Sequence, residues 1–390
     1  MGLMTVIAIL ILLFIIYLSA PLYIPFIENR INKVNKKFDY RASKDVRDFH
    51  STLFIIDLHA DSLFSCRSLL QSNSRCHVDI PRLIKGNVKL QVFATPTLIP
   101  FNPNIERNTK KFAISGFLVF MMHWPINTWY SKKNRALYQS NKLHEIQLKS
   151  KNTFEIIKTS NQLENYFKRC RAEPNITAGL LALEGAYIID NINDDIDELY
   201  NQGFRIIGIT HLTDCNLGGS VHGVEKWGLT ESGRKAIKRI EELNMIIDLA
   251  HASPKLIEDV LRICSRPVLV SHTGVKGCID NNRNLSDQQI KKIADKGGLI
   301  GIGFWETAVG INGVESIVNC ITYVSDLVGV EHVALGSDFD GAVTTPFDAT
   351  GLVHITEELL EQGFSKKNIR MIMGENALNF LLNALPKELN

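Results

Sequence analysis

The sequence predicts a (β/α)8 barrel of the TIM-barrel type, preceded by an N-terminal transmembrane helix. Eight short runs rich in Val, Ile and Leu alternate with helical patterns between residues 53 and 339. Eight strands that alternate with helices match the strand count of this barrel. The runs are almost continuously apolar, which is typical of parallel strands buried on both faces.

The membrane helix is predicted from the first 27 residues, which carry no charged side chain. Leu3 to Ala20 form an almost unbroken apolar run, and about 20 such residues span a bilayer. A cleaved signal peptide is the alternative, but MGLMT lacks the expected basic residues and Pro21 is unfavourable for cleavage. We therefore expect an uncleaved single-pass anchor over residues 1–27.

A basic linker, residues 28–50, is expected between the anchor and the barrel of residues 51–390. Residues 30–48 contain seven basic and three acidic side chains, a net charge of +4. The positive-inside rule would keep this flank in the cytoplasm, but it is a bias, and the side of the membrane stays open. The whole chain, with 43 basic and 41 acidic residues, has no basic excess of the kind that nucleic-acid binding needs.

The predicted strands follow one another with helices between them. The eight β-like runs are residues 53–61, 88–94, 176–185, 204–212, 245–251, 267–272, 299–304 and 332–339. Helices are predicted over 229–243 and 285–297, the second opening with a capping box of Ser286 and Gln289. The long crossover 95–175 should carry extra helices. Its apolar stretch 112–124 is too short to span a membrane and is interpreted as a buried amphipathic or lid element.

Ionisable residues stand at the carboxyl ends of six predicted strands, where buried parallel strands should be apolar. They are His59 and Asp61, Glu184, His211, His251, His272, and Asp338 followed by Asp340. The carboxyl ends of barrel strands meet at one mouth, where active sites of this fold are built. The sequence therefore predicts that these side chains converge.

Imidazole and carboxylate groups without thiolates suit zinc, with manganese or cobalt as substitutes. His59 and Asp61 are two residues apart and should point the same way, and Glu184 is a carboxylate able to bridge two cations. Together with His251 and His272 these are more ligands than one open tetrahedral ion needs. Two metal ions that share a water or hydroxide are the simpler interpretation.

Each of these residues alone has an ordinary structural alternative, such as a hydrogen-bonded histidine or, for GSDFDG, a turn. Asp57 and Asp248 are interpreted as partners that orient histidines, and His123, His222 and His354 as surface or loop residues. The joint pattern favours a metal centre, because several buried ionisable groups without a cation would be energetically costly.

Several sequence blocks resemble the membrane (renal) dipeptidase family, whose members are zinc peptidases on a metal-dependent-hydrolase barrel. They include DLHAD (57–61), LALEGA (181–186), PVLVSHT (267–273) and GSDFDG (336–341), and the similarity runs from about residue 50 to residue 383. The resemblance implies two zinc ions. His59 and Asp61 would bind one, His251 and His272 the other, and Glu184 would bridge them.

The same resemblance implies roles for three further residues. His211 would contact the substrate and polarise the scissile carbonyl, and Arg283 would pair with the C-terminal carboxylate of a dipeptide. Asp338 would orient the bridging water and move its proton. The expected activity is hydrolysis of dipeptides with a free C-terminal carboxylate through a bridging hydroxide.

Two alternatives and one further expectation accompany this hypothesis. A related amidohydrolase acting on a non-dipeptide amide or a β-lactam is the first alternative. Many such enzymes use an HxH motif and a lysine bridge, but here the motif is HxD and no lysine lies between Lys168 and Lys226. The second alternative is a binding protein that retains only the fold. Such a protein should lack at least one metal-binding residue or the acid that moves the proton, and here all of them are present. A homodimer is left open.

Overall fold

The computed structural model describes residues 2–35, 37 and 40–389, and contains eleven strands. They are β1 (Lys33–Val34), β2 (Ile55–Ala60), β3 (Val88–Pro96), β4 (Phe154–Ile156), β5 (Thr177–Glu184), β6 (Phe204–Gly208), β7 (Ile246–Asp248), β8 (Leu269–Thr273), β9 (Leu299–Ile302), β10 (Val333–Leu335) and β11 (Thr344–Thr345).

The α-helices alternate with these strands along most of the chain. They are α1 (Leu3–Ile31), α2 (Lys44–Ser51), α3 (Ile80–Lys85), α4 (Ser115–Met121), α5 (Ile126–Tyr130), α6 (Lys132–Lys149), α7 (Ser160–Arg169), α8 (Ile192–Asn201), α9 (Glu231–Glu242), α10 (Pro254–Ile263), α11 (Asp287–Asp295), α12 (Glu306–Val309), α13 (Val314–Val328), α14 (Val353–Glu361), α15 (Lys366–Arg370) and α16 (Asn376–Ala384).

Eight parallel strands close into a barrel in the order β3-β2-β10-β9-β8-β7-β6-β5, and pairing of β3 with β5 completes the ring. The predicted (β/α)8 barrel is therefore confirmed, and every predicted β-like run overlaps one barrel strand. All residues of these eight strands are buried, as their apolar sequences indicate. The carboxyl ends of the strands consequently share one mouth.

The long crossover between β3 and β5 contains the extra helices α4 to α7, as predicted, and also the short strand β4, which pairs with β5 and was not predicted. The interpretation of residues 112–124 as a buried amphipathic or lid element is confirmed only in part. Ser115, Val119 and Trp124 are buried, while Phe112 and Phe117 are exposed. One side of the segment therefore belongs to the buried core and the other does not.

The N-terminal helix α1 continues without a break from Leu3 to Ile31 and passes through Pro21 and Pro25. Within the described part of the chain it is the one helix long and apolar enough to cross a membrane. A second helix, α2, forms inside the predicted basic linker. The predicted capping box of Ser286 and Gln289 is present at the start of α11 and fixes where that helix begins.

Candidate active site

Four predicted site residues lie on or directly after barrel strands. His59 belongs to β2, Asp61 follows it, Glu184 ends β5, and His272 lies in β8. Three more, His211, His251 and Asp338, lie three residues beyond a strand, because β6, β7 and β10 end earlier than predicted. They were predicted at strand ends, and the structure instead places them in the first turn of the loops at the same mouth. The eighth, Arg283, lies in the loop between β8 and α11.

Glu184 stands at the centre of the cluster, surrounded by four imidazole rings. Its Oε1 lies 3.2 Å from His251 Nε2, 3.5 Å from His59 Nε2 and 3.7 Å from His272 Nε2. Its Oε2 lies 3.7 Å from His211 Nε2. One carboxylate therefore faces imidazoles from four different strands or loops, each through Nε2.

The remaining carboxylates lie beside His59. Its Nε2 is 3.8 Å from Asp61 Oδ1 and 3.9 Å from Asp338 Oδ1. Three overlapping groups have ligand atoms within 4.8 Å of one another: His59, Glu184 and His272; Glu184, His211 and His251; and His59, Asp61 and Asp338. Glu184 and His59 each belong to two groups, which is an arrangement suited to more than one ion.

Several polar atoms of this cluster are buried without a hydrogen-bond partner in the described ranges. They are His59 Nε2, Asp61 Oδ1, Glu184 Oε2 and His211 Nδ1. Unpaired buried polar atoms are rare in folded proteins because each loses its hydration without compensation. Nitrogen and oxygen donors of this kind match zinc and related cations, so the residues present fit a metal centre.

The tautomers of two histidines support the same conclusion. Ser271 Oγ donates to Asp248 Oδ2 at 2.6 Å and therefore accepts from His272 Nδ1 at 3.0 Å. His222 Nδ1 donates to the carbonyl oxygen of Ile105 at 2.7 Å, so its Nε2 accepts from His251 Nδ1 at 3.1 Å. The Nε2 atoms of His251 and His272, 2.9 Å apart, then present lone pairs to each other, which a cation would relieve.

The pKa values of the histidines and of the carboxylates both shift in the direction that favours the uncharged side chain. Burial lowers the pKa of His59 to about 3, with a smaller contribution from the charge of Arg283. Burial and the neighbouring Asp340 raise the pKa of Asp61 to about 7. Burial, followed by Asp61 and Asp338, raises the pKa of Glu184 well above its usual range. Neutral imidazole binds metals directly, and added positive charge would bring the carboxylates back to their ionised form.

Left-handed backbone places two of the loop residues. His251 has a φ of 63° and Asp338 a φ of 60°, a conformation that residues other than glycine rarely adopt. Next to Asp338, a Cβ at Gly341 would lie 2.1 Å from Asp338 Oδ1, so glycine is needed for that carboxylate to fit. Such conformations persist where the surrounding structure holds them, and they are concentrated at functional sites.

The two aspartates interpreted as orienting residues act in different ways. Asp248 orients histidines through Ser271, whose Oγ also lies 3.3 Å from His59 Nδ1. Asp57 instead accepts from Ser337 Oγ at 2.6 Å and from Gln91 Nε2 at 2.8 Å, so it ties strands together below the site. Sequence analysis did not single out Ser271, although a serine next to His272 in an apolar strand was an available signal.

His222 lies in a loop, as one of the two interpretations had it, but it is not a surface residue. Its side chain is buried, and it contacts His251 on one side and Ile105 on the other. The backbone of Asn108 also donates to the carbonyl oxygen of His222 at 2.7 Å. No local motif marks His222, because its partners are distant in the sequence.

Arg283 and Asp340 complete the surroundings of the site. Arg283 is buried and donates to Thr273 Oγ1 at 3.2 Å and to the carbonyl oxygen of His272 at 2.7 Å. Its guanidinium carbon lies 5.7 Å from the centre of the Trp305 ring. Asp340, by contrast, accepts from Arg67 Nη2 at 2.6 Å. It therefore stabilises the loop and is not part of the ligand cluster.

Comparison with known proteins gives a consistent family assignment. The family model described as Membrane dipeptidase (Peptidase family M19) matches residues 43–384. An uncharacterised protein in the pqqA 5′ region of Klebsiella pneumoniae is 32% identical over 232 residues, which are 55% of this chain and 85% of that protein. The dipeptidase verJ of Clonostachys rogersoniana is 27% identical over 319 residues, 78% of this chain and 75% of that protein.

A solved structure shows the same fold. The metallopeptidase of Rhodobacter sphaeroides, bound to a phosphinate mimic of L-Ala-D-Ala, has a TM-score of 0.71 and 24% sequence identity, and the match covers 86% of this chain and 99% of that chain. The barrel fold of this chain therefore corresponds to that of a solved metallopeptidase.

Proposed function

This chain belongs to the membrane dipeptidase family, peptidase family M19, and on that premise we propose that it hydrolyses dipeptides with a free C-terminal carboxylate at a two-zinc site. The observation that carries the proposal is the position of Glu184, within 3.2–3.7 Å of four imidazole Nε2 atoms. His59 and Asp61 would hold one ion, His251 and His272 the other, and Glu184 both.

When bound, metal ions would supply positive charge that lowers the pKa of the attacking water and polarises the scissile carbonyl. The chain supplies the rest of the chemistry. Asp338 accepts the proton from the attacking water and returns it to the leaving amine. Burial raises the pKa of Asp338 well above its usual range, which favours a carboxyl group that holds a proton in mid-reaction. His211, on the opposite side of Glu184, binds the oxygen of the scissile carbonyl.

Arg283 defines the length and the end of the substrate. A buried guanidinium binds a carboxylate through two parallel hydrogen bonds, and burial makes each stronger than in water. The charge of Arg283 reaches the cluster, since it contributes to the lowered pKa of His59. A substrate held between Arg283 and the metal centre would be a short peptide with a free carboxylate.

The helix α1 is proposed to anchor the enzyme in a membrane, with the barrel beyond the linker as the catalytic domain. Its first half is apolar and exposed. Its second half packs on the barrel through Glu28, which accepts from Ser65 Oγ at 2.8 Å and from the backbone of Cys66 at 2.9 Å. A helix integrated in this way supports an anchor that is retained rather than cleaved.

Kinetics on the purified, zinc-loaded full chain test the activity. We expect turnover of dipeptides, and a much lower kcat/KM for the same dipeptides as C-terminal amides. Arg283→Met should abolish most of this preference by raising KM for the free acids, while Arg234→Met, which alters an exposed arginine on α9, should not. Hydrolysis of β-lactams or N-acyl amides without dipeptide turnover would favour the amidohydrolase alternative instead.

Metal analysis tests the site separately from the substrate. We expect about two zinc ions per wild-type chain. Glu184→Gln should reduce occupancy of both ions, since one carboxylate serves both, whereas Glu145→Gln, which alters an exposed carboxylate on α6, should leave the metal content unchanged. A Glu184→Gln protein with full zinc content would contradict the central role assigned to this carboxylate.

A further inference from the structure

The second half of α1 is docked on the barrel by one face only. Ala20, Ile24 and Glu28, spaced four residues apart, are buried against it. Glu28 also forms an ion pair with Arg75 at 3.1 Å. Because residues four apart share one side of a helix, the contact is a narrow stripe. The opposite side of the helix is therefore left facing outward.

That outward side is apolar up to the last turn of α1, where Asn29 and Arg30 are also exposed. Leu22, Tyr23, Phe26, Ile27 and Ile31 are 44–75% exposed. A helix packed in a protein on one side normally presents polar residues to water on the other. Contiguous exposed apolar area of this kind marks a surface that is covered by something other than water.

The apolar surface continues from α1 onto the barrel. The Tyr17 ring lies 5.0 Å from the ring of Phe120. The carbonyl oxygen of Tyr17 also accepts a hydrogen bond from His123 Nε2 at 2.8 Å. Phe120 in turn lies 6.3 Å from Phe117, which is 50% exposed. Further along the same segment, Ile126 is 66% exposed.

The rest of this flank has the composition of a membrane interface. Phe112 and Tyr130 are also exposed, and aromatic side chains are enriched at the headgroup level of bilayers. Lys110 and Lys111, next to Phe112, are exposed as well. Together with the net +4 of residues 30–48, they match the negative charge of anionic headgroups.

We propose that the outer side of α1 from Leu22 to Ile31 and the exposed side chains of residues 110–130 form one lipid-contact surface. Lipid is the occupant because the surface is continuous with the apolar helix that would cross the bilayer, without a break at Pro21 or Pro25. The proposal rests on the membrane anchoring proposed above. It goes further, because it places a flank of the barrel itself in the bilayer interface.

Photo-crosslinking of the full chain in nanodiscs of phosphatidylcholine and phosphatidylserine tests the surface. The photoreactive amino acid p-benzoylphenylalanine replaces Phe117, Leu12 or Leu148, one position at a time. Leu148 is the control, since it is 83% exposed but lies at the end of α6, just before β4 and away from the mouth. We expect lipid adducts by mass spectrometry from positions 117 and 12, and none from 148.

The outcomes separate the lipid-contact surface from the anchor and from the activity. Lipid adducts at position 12 but not at 117 would overturn the surface and leave the anchor intact. Adducts from 117 to a second copy of the chain would overturn it in favour of a dimer interface. Absence of adducts at both positions would overturn surface and anchor together. Dipeptide turnover, measured in the same nanodiscs, reports on the enzymatic proposal independently.

A charge substitution provides a second readout. Ile126→Glu, in the chain that carries the photoreactive residue at 117, should lower the yield of lipid adducts severalfold, because a carboxylate is expelled from the interface and repelled by anionic lipid. Leu148→Glu should leave the yield unchanged, and neither variant should alter dipeptide turnover. An unchanged yield in the Ile126→Glu chain would refute lipid contact at this flank.

Discussion

Removing one hydroxyl group, in Ser271→Ala, should weaken zinc binding about 5- to 150-fold without unfolding the barrel. Ser271 Oγ accepts from His272 Nδ1 at 3.0 Å and from His59 Nδ1 at 3.3 Å, while it donates to Asp248 at 2.6 Å. The substitution therefore releases two imidazole rings at once. One of them belongs to each proposed zinc ion.

The magnitude follows from the two hydrogen bonds that are lost. At about 0.5–1.5 kcal/mol each, they contribute about 1–3 kcal/mol to holding the rings with Nε2 towards the metal. Since about 1.4 kcal/mol corresponds to a factor of ten, the affinity should fall about 5- to 150-fold. Asp248 keeps its bonds to the backbone of Ser271 at 2.9 Å and of Ala250 at 3.0 Å, so the strand ends stay connected.

Zinc affinity is measured by competition with a chromogenic chelator, on the full chain in detergent, together with kcat/KM as a function of free zinc. Ser140→Ala is the matched control. It removes an equally buried hydroxyl on α6, away from the proposed metal ligands. That hydroxyl donates to the carbonyl oxygen of Gln202 at 2.9 Å. Thermal melting of both metal-free variants shows whether they lose comparable stability.

If Ser271→Ala binds zinc as tightly as the wild type, within about twofold, the Ser271 hydroxyl does not orient the two imidazole rings for metal binding. If Ser140→Ala weakens zinc binding as much, the effect is a general consequence of losing a buried hydroxyl. A loss of kcat/KM that excess zinc restores would identify the defect as one of metal affinity.

Three further substitutions test the fold. Burial lowers the pKa of His50 to about 4, whereas histidine in the unfolded state titrates near 6.5. The folded state therefore binds fewer protons than the unfolded state between these values. The contribution of His50 to the free energy of unfolding is complete above pH 6.5 and is lost as the pH falls towards 4. Between pH 7 and pH 4, the free energy of unfolding of the metal-free protein should therefore fall by at most about 3 kcal/mol more in the wild type than in His50→Gln. Denaturant unfolding measures both losses, and equal losses would exclude this effect. Asp340→Asn leaves the buried guanidinium of Arg67, now 2.6 Å from Asp340, without its counter-charge and should lower the free energy of unfolding by about 3–5 kcal/mol at pH 7; a loss below about 1 kcal/mol would contradict a buried ion pair. Gly374→Ala would place a Cβ 1.8 Å from the carbonyl oxygen of Phe54 and should lower the free energy of unfolding by about 1–3 kcal/mol, whereas a melting temperature equal to that of the wild type would show that this contact can relax.

The barrel and half of its site could be predicted because they depend on short-range pattern. His59, Asp61, Glu184 and His272 interrupt or end apolar runs that become strands, and parallel topology brings such positions to one mouth. The loop residues were harder to place. The backbone of His251 has a φ of 63°, and this conformation places its side chain in the cluster. The neighbouring residues in the sequence do not predict such a conformation. Its position relative to β7 could therefore not be derived from periodicity.

The contacts of His222 could not be predicted from the sequence. His222 is defined by Ile105 and His251, and neither spacing forms a recognisable motif. The exposure of Phe117 in the apolar stretch 112–124 was not predicted, for a related reason. Hydrophobic pattern reports that a segment avoids water, not which partner covers it, and here Phe117 faces away from the protein core.

Positive charge is favourable at the centre of this cluster, and this links the geometry of the site to its proposed chemistry. The lone pairs of His251 and His272 oppose each other at 2.9 Å because Ser271 and His222 fix both tautomers. Burial meanwhile favours the uncharged form of Glu184. A bound cation would be attracted to both lone pairs and would favour the ionised carboxylate, so we expect metal binding to release a proton. The hydrogen bonds of Ser271 and His222 would then hold the imidazole rings in the orientation that metal binding requires.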